Sequence, residues 1–318
     1  MPRILIALLT ALLVLAAAPA AQARERVASP RFHIMPARFS AIVSVGERYV
    51  VYGEPHFAGH TVWSADTKTL TARELTLPAG CRVWAGETSE HDRFLAACAE
   101  GSIVVDAATG ATLWGPQPAG DGLGGAWDTE QWRWVGDQWL EDMDGTVLNW
   151  HTGERRTPGT TQEMADLDDP GLGAGRFCRP FQRDDRWAAG QQDGRLVFVR
   201  RGPRADRAFY VGRCGSSELT RVYAFRLTRP ISVGSDSILG GWAVWSSGSS
   251  CGGTIGSYDV RTGHRFRWTT TGVHGRRCFS LDKTRYAAVI TYEMGASQWD
   301  GSDEEYRLRR LAIAHPPR

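Results

Sequence analysis

The stretch Ile103-Val104-Val105-Asp106-Ala107-Ala108-Thr109-Gly110-Ala111-Thr112-Leu113-Trp114 reads as a strand, a tight turn and a second strand. Three β-branched residues run into an acid, Thr109-Gly110 supplies the positive φ that a hairpin turn needs, and an extended segment resumes. The same order returns in Thr146-Val147-Leu148-Asn149-Trp150 running into His151-Thr152-Gly153. It returns again in Ile255-Gly256-Ser257-Tyr258-Asp259 running into Val260-Arg261-Thr262-Gly263 before Phe266-Arg267-Trp268. Weaker copies surround Asp66-Thr67-Lys68 and Arg201-Gly202-Pro203.

A second signal accompanies it, a polar turn followed by an aromatic residue and small or β-branched residues. It occurs as Gly46-Glu47-Arg48 before Tyr49-Val50-Val51, His91-Asp92-Arg93 before Phe94-Leu95-Ala96, and Gly136-Asp137-Gln138 before Trp139-Leu140. Asp184-Asp185-Arg186 before Trp187, Leu239-Gly240-Gly241 before Trp242 and Lys283-Thr284-Arg285 before Tyr286 continue the series. The aromatic residues stand 45, 45, 48, 55 and 44 residues apart, which makes six units. Each unit is expected to be a meander: strand A, polar turn, strand B led by the aromatic, longer loop, strand C, Thr-Gly turn, strand D. Four short antiparallel strands in roughly 40 to 50 residues match a β-propeller blade, and no helical period competes. The expected fold is all-β, a six-bladed β-propeller, or a seven-bladed one should the long fifth unit hide a short extra blade. In the last unit strand C falls at Tyr306 to Ala314, and His315-Pro316-Pro317-Arg318 is too short and proline-rich for a fourth strand. An open edge invites aggregation, so Arg31 to Met35, extended ahead of Pro36, is expected to close the ring as the outer strand of the sixth blade.

Val104 to Trp114 resembles the repeat of pyrroloquinoline-quinone-type propellers. Asp259-Val260-Arg261-Thr262-Gly263 resembles the equivalent turn of WD-type repeats, and Phe279-Ser280-Leu281-Asp282-Lys283-Thr284-Arg285-Tyr286 is similar to the inner-strand turn of periplasmic TolB-like propellers. Each match covers a fragment and supports the architecture rather than one family. The quinone-type resemblance would imply a bound quinone and calcium, but many of those enzymes use adjacent cysteines above the cofactor and no Cys-Cys pair occurs here. No cofactor and no metal are therefore expected. Propellers with degenerate repeats imply a non-catalytic scaffold.

Ahead of the repeats, Met1-Pro2-Arg3 is a basic start, the 15 residues Ile4 to Ala18 form an apolar core, and Ala21-Gln22-Ala23 offers small residues for cleavage. Residues 1–23 thus read as a Sec-type signal peptide, with residues 24–318 a single secreted or periplasmic domain. No second apolar stretch is long enough for a membrane span. Of 318 residues, 42% are hydrophobic and 23% charged, with a net charge of +2, which argues against disorder and against a nucleic-acid binder. A monomer is expected. Among the 37 basic residues only Lys68 and Lys283 are lysines.

In an oxidising compartment the six cysteines read as three disulfides. Cys81 and Cys98 are symmetric about a turn near Ser89 and Glu90, which pairs them across strands A and B of the second blade. Cys178 with Cys214 and Cys251 with Cys278 is the favoured pairing for the rest, and Cys214 with Cys251 is the alternative. Of the 13 tryptophans, Trp114, Trp139, Trp187, Trp242 and Trp268 fall where blades pack face to face. Burying one Trp removes about 200 Å² from water, roughly 5 kcal/mol before entropy is charged. Trp127, Trp132 and Trp134 are the candidates for exposure. Trp132 and Trp134 share a strand face, where a sugar or aromatic ligand would stack.

One rim collects the long connections: Thr157 to Gly175 with Glu163, Asp166, Asp168 and Asp169; Cys214 to Pro230; and Gly53 to His60 with His56 and His60. Turns of two to five residues are expected at the other rim. The long loops are the expected ligand face. Several motifs carry less. Gly248-Ser249-Ser250-Cys251-Gly252 fits G-x-S-x-G but lacks the strand-to-helix elbow that the nucleophile needs. Asp142-Met143-Asp144-Gly145 begins like a calcium loop, but the twelfth position is Gly153 instead of a bidentate Glu. The function expected is a secreted, non-catalytic binding or scaffold module that presents this rim to a protein or glycan. The alternative is a propeller enzyme, a hydrolase, lyase or quinone-type oxidoreductase, with its site in the central channel.

Overall fold

The computed structural model describes residues 25–39, 41–53, 61–83, 92–117, 132–135, 138–142, 145–159, 186–192, 195–201, 206–213, 219–226, 231–234, 239–247, 254–269, 279–299 and 305–318. The leader proposed for residues 1–23 lies outside them.

Two strands open the described residues, β1 (Arg26–Ala28) and β2 (His33–Phe39). A meander follows of β3 (Ala41–Val45), β4 (Tyr49–Gly53), β5 (Val62–Asp66) and β6 (Thr71–Leu75). The second sheet holds β7 (Arg82–Val83), β8 (Arg93–Cys98), β9 (Gly101–Asp106) and β10 (Thr112–Gln117), and the third holds β11 (Arg133–Val135), β12 (Trp139–Glu141), β13 (Val147–Asn149) and β14 (Arg155–Arg156). The fourth is built from β15 (Arg186–Gln192), β16 (Arg195–Arg201), β17 (Asp206–Arg213) and β18 (Leu219–Arg226). The fifth contains β19 (Ile231–Gly234), β20 (Trp242–Ser247), β21 (Thr254–Asp259) and β22 (Arg265–Trp268). The last contains β23 (Phe279–Lys283), β24 (Ala288–Trp299) and β25 (Glu305–Ala314), and β2 is its fourth strand. Within each meander, consecutive strands are antiparallel neighbours, and β2 joins β25 through pairs such as His33↔Ile313 and Phe39↔Arg309. Consecutive meanders, with a strand from near the start of the chain completing the final one, give the all-β propeller architecture that the repeats call for.

The core lies between adjacent sheets. Tyr52, Val50 and Ala65 of the first pack on Val289, Leu311 and Ile313 of the last. Val43, Val51 and Val62 pack on Phe94, Ile103 and Val105 of the second, and Leu95 and Val104 of the second pack on Leu140 and Leu148 of the third. Both faces of the second sheet are therefore buried, so β8 and β9 read as continuous apolar runs instead of alternating ones. Trp139, Trp242 and Trp268 are buried as expected, whereas Trp114 is only half-buried, and the Trp187 side chain lies outside the described residues.

The structure departs from the expected units in four places. β1 pairs in parallel with β22, from Arg26↔Phe266 to Ala28↔Trp268, and adds a fifth strand to the fifth sheet. The Trp187 strand is first in its sheet, not second, among the described residues. Its fourth strand, β18, comes from the connection read as a long loop, where Val222, Tyr223 and Phe225 supply the β-branched and aromatic residues that a strand favours. The second sheet reverses the expected loop lengths: β7 and β8 are separated by residues 84–92, and β8 and β9 only by Ala99 and Glu100. β7 and β8 pair in register at Arg82↔Ala97, so the next pair outward is Cys81 and Cys98, which form the expected disulfide.

Candidate functional site

The strand C to D turns repeat atom by atom. In each, the residue four positions after the opening Asp or Asn donates its N–H to that residue's carbonyl: Leu70 to Asp66, Gly110 to Asp106, Gly153 to Asn149 and Gly263 to Asp259. These four residues have φ of 62°, 75°, 75° and 72°, which explains the Gly of the motif. The opening side chain accepts from the turn's own N–H groups: Asp66 from Lys68, Asp106 from Thr109, Asn149 from His151 and Thr152, and Asp259 from Arg261. Asp142 likewise accepts from Thr146 at 2.8 Å, so it closes the turn into β13.

These turns also tie to the strand A to B turns, since Thr67, Ala107, Trp150 and Val260 donate to the carbonyls of Arg48, Asp92, Gln138 and Gly241. Asp92, itself at φ 56°, reaches the preceding sheet and accepts from the N–H of both Arg48 and Tyr49 at 2.7 and 2.8 Å. Burial pushes its carboxyl up, against those two N–H groups. Burial acts the same way on Asp66, but there the Arg48 guanidinium at 2.7 Å and the turn N–H groups win and hold the carboxyl down at about 2.

The turn Lys283 to Tyr286 pins the last sheet on both sides. Toward the fifth, Trp242 Nε1 donates to the Arg285 carbonyl at 3.1 Å, and Lys283 Nζ lies 4.9 Å above the Trp242 ring. Toward the first, Arg285 N–H donates to the Glu47 carbonyl, Thr284 and Thr67 share a 2.7 Å hydrogen bond, and Lys68 lies over Tyr286. Both lysines of the chain thus sit on aromatic rings at sheet junctions. Lys283 is 3% exposed, and burial, with Arg285 assisting and Asp282 opposing, lowers its pKa to about 7. Its rarity in an arginine-rich chain and its place beside the repeating aromatic were the only sequence signs of it.

Between the second and third sheets lies a tryptophan cluster. Trp132, 2% exposed, and Trp150 are buried with Leu95, Val104, Leu140 and Leu148, while Trp114 and Trp134 are half-buried at its margin. Trp134 and Trp150 meet edge to face at 6.5 Å, His151 stacks on Trp150 at 3.7 Å, and Arg93 lies over Trp150 at 4.9 Å. Trp132 is therefore not the exposed stacking surface expected of it, because its strand face meets β8 and β9. The other expected site residues, Trp127, His56, His60, Asp166, Asp168 and Asp169, lie outside the described residues, as do Cys178, Cys214, Cys251 and Cys278 and the segment 248–252. Among the described residues no three His, Cys, Asp or Glu side chains converge to hold a metal ion, and no helix is long and apolar enough to cross a membrane.

No protein-family model matches the chain, and no curated protein matches it in sequence. Solved structures similar to it include the β-propeller domain of the Trilobed protease from Pyrococcus furiosus, at 12% identity, TM-score 0.30, and coverage of 82% of this chain and 80% of that one. Oligogalacturonate lyase from Vibrio parahaemolyticus is similar at 11% identity and TM-score 0.42 over 93% of this chain and 99% of that one. Acylaminoacyl peptidase from Pyrococcus horikoshii is similar at 12% identity and TM-score 0.29 over 82% of this chain, which spans only 43% of the peptidase.

Proposed function

We propose that the chain is an exported, non-catalytic binding module, a single domain over residues 24–318 that acts as a rigid monomeric scaffold and presents its loop-rich rim to a protein or glycan. What supports this reading is the employment of the polar side chains. Asp66, Asp92, Asp106, Asp142, Asn149 and Asp259 all accept backbone N–H groups of turns, and the two lysines lie on aromatic rings. Catalysis by paired acids needs carboxyls that face one point with separated pKa values, and acids engaged in capping turns do not serve that way.

The remaining disulfides, Cys178 with Cys214 and Cys251 with Cys278, belong to the same proposal as staples of that rim. The test is a pull-down with the secreted protein against envelope and culture fractions, run beside a glycan array, with N-terminal sequencing of the exported chain. Capture on either platform and a mature start near Arg24 support the proposal, and clean negatives on both platforms overturn it.

A further inference from the structure

Three buried side-chain polar atoms among the described residues have no hydrogen-bond partner: the Tyr52 hydroxyl and the indole N–H groups of Trp132 and Trp134. Tyr52 stands alone, enclosed by aliphatic side chains and Phe39. The two indoles are different, because they lie two residues apart, Trp132 just before β11 and Trp134 within it, and alternate residues of an extended chain share a face. An indole N–H donates and cannot accept, so no rotation within the cluster satisfies one with the other. Leaving a buried donor unpaired costs about 1–3 kcal/mol, and native interiors leave few of them.

We infer that this junction is a carbohydrate site, in which hydroxyl or ring oxygens accept the N–H groups of Trp132 and Trp134 and the sugar's C–H face stacks on the half-buried rings of Trp134 and Trp114. This rests on the reading of the chain as a binding module and names the ligand class. A sugar suits the place because it offers both an apolar face for aromatic rings and acceptors at its edge. Trp134, at the margin of the cluster and only half-buried, is the ring that turns to admit it. Trp132, locked among Leu95, Leu140 and Leu148, is the fixed donor behind it.

The experiment screens an array of neutral and acidic oligosaccharides and then titrates the best binder calorimetrically into the wild type, Trp132→Phe, Trp134→Phe and Trp134→Ala. Each Phe keeps an aromatic ring and removes one donor, and is expected to weaken binding about tenfold, with Trp134→Ala losing it. Unliganded Trp132→Phe is expected to melt lower, because the smaller ring leaves a cavity among Leu95, Leu140 and Leu148, so its binding is compared with that of Trp134→Phe at the cluster's margin. Binding that all three variants retain overturns this site and leaves the binding module standing. Capture of a protein with no glycan bound does the same, and failure on both platforms overturns both.

Discussion

Replacing Lys283 by Met tests whether the junction between the fifth and last sheets encloses an amine that ionises less readily than a free one. Lys283 is 3% exposed, and its pKa falls from 10.5 to about 7 on folding. A group that ionises less readily in the folded state than in the unfolded one makes stability depend on pH. Above pH 10.5 the amine is neutral in both states and imposes no penalty. Between 10.5 and 7 the unfolded chain binds more protons, so stability is lost as pH falls, by about 1.4 kcal/mol per unit, until the full penalty is reached near pH 7. The integrated penalty is on the order of 5 kcal/mol, net of the attraction that the Trp242 ring offers the cation. Met follows the unbranched lysine stem without a charge. Lys283→Met is therefore expected to gain stability relative to the wild type as pH falls from 10.5 to 7, by on the order of a few kcal/mol at pH 6.5, with the advantage shrinking toward zero near pH 10.5. Urea denaturation followed by tryptophan fluorescence at half-unit steps measures the difference, in which all other titrating groups cancel. A difference that does not change with pH, or a destabilised Lys283→Met at pH 6.5, would refute the reasoning.

Glycines at one φ should respond differently according to what surrounds them. A Cβ on Gly240 (φ 79°) would lie 2.2 Å from the Arg285 carbonyl oxygen, while one on Gly153 (φ 75°) meets nothing within 4 Å. Gly153→Ala should cost about 1 kcal/mol for the left-handed backbone alone, and Gly240→Ala at least about 3 kcal/mol, measured by the same denaturation. Equal losses would show that the close approach carries no energy. Asp92→Ala should cost about 2 kcal/mol by stranding the N–H groups of Arg48 and Tyr49, whereas Asp92→Asn keeps an acceptor, tolerates the positive φ and should stay near wild type at pH 7. A thermal-shift series that ranks Asn with Ala would place the effect in the charge instead. The Cys81–Cys98 bridge spans 17 residues, so Cys81→Ala with Cys98→Ala should lower stability by about 3 kcal/mol, and dithiothreitol should leave the doubly substituted protein unmoved at that bridge.

The parts of the fold that were legible from sequence are those in which one residue type has one local job. Asp106, Thr109 and Gly110 announce a turn because the carboxylate, the hydroxyl and the missing Cβ each act within five residues, and the four copies are built alike. Cys81 and Cys98 were legible for a similar reason, since a hairpin's register follows from its length. What was not legible depended on which face of a strand meets a neighbour. Tyr49, Trp139 and Trp242 stand opposite the turn-opening Asp or Asn, but in the second sheet Arg93 holds that register against Asp106, and Phe94 falls one place further. A step of one residue turns a side chain to the other face. Phe94 is therefore buried against the first sheet, and Arg93 is left to cover Trp150 of the third. The spacing of 45 from Tyr49 to Phe94 matched the repeat and concealed the slip. The same blindness to facing applies to Trp132, whose position on an alternating strand suggested a surface and whose neighbours enclose it. Period identifies the sheets, but only register and facing decide which tryptophan is core and which donor is left over for a ligand.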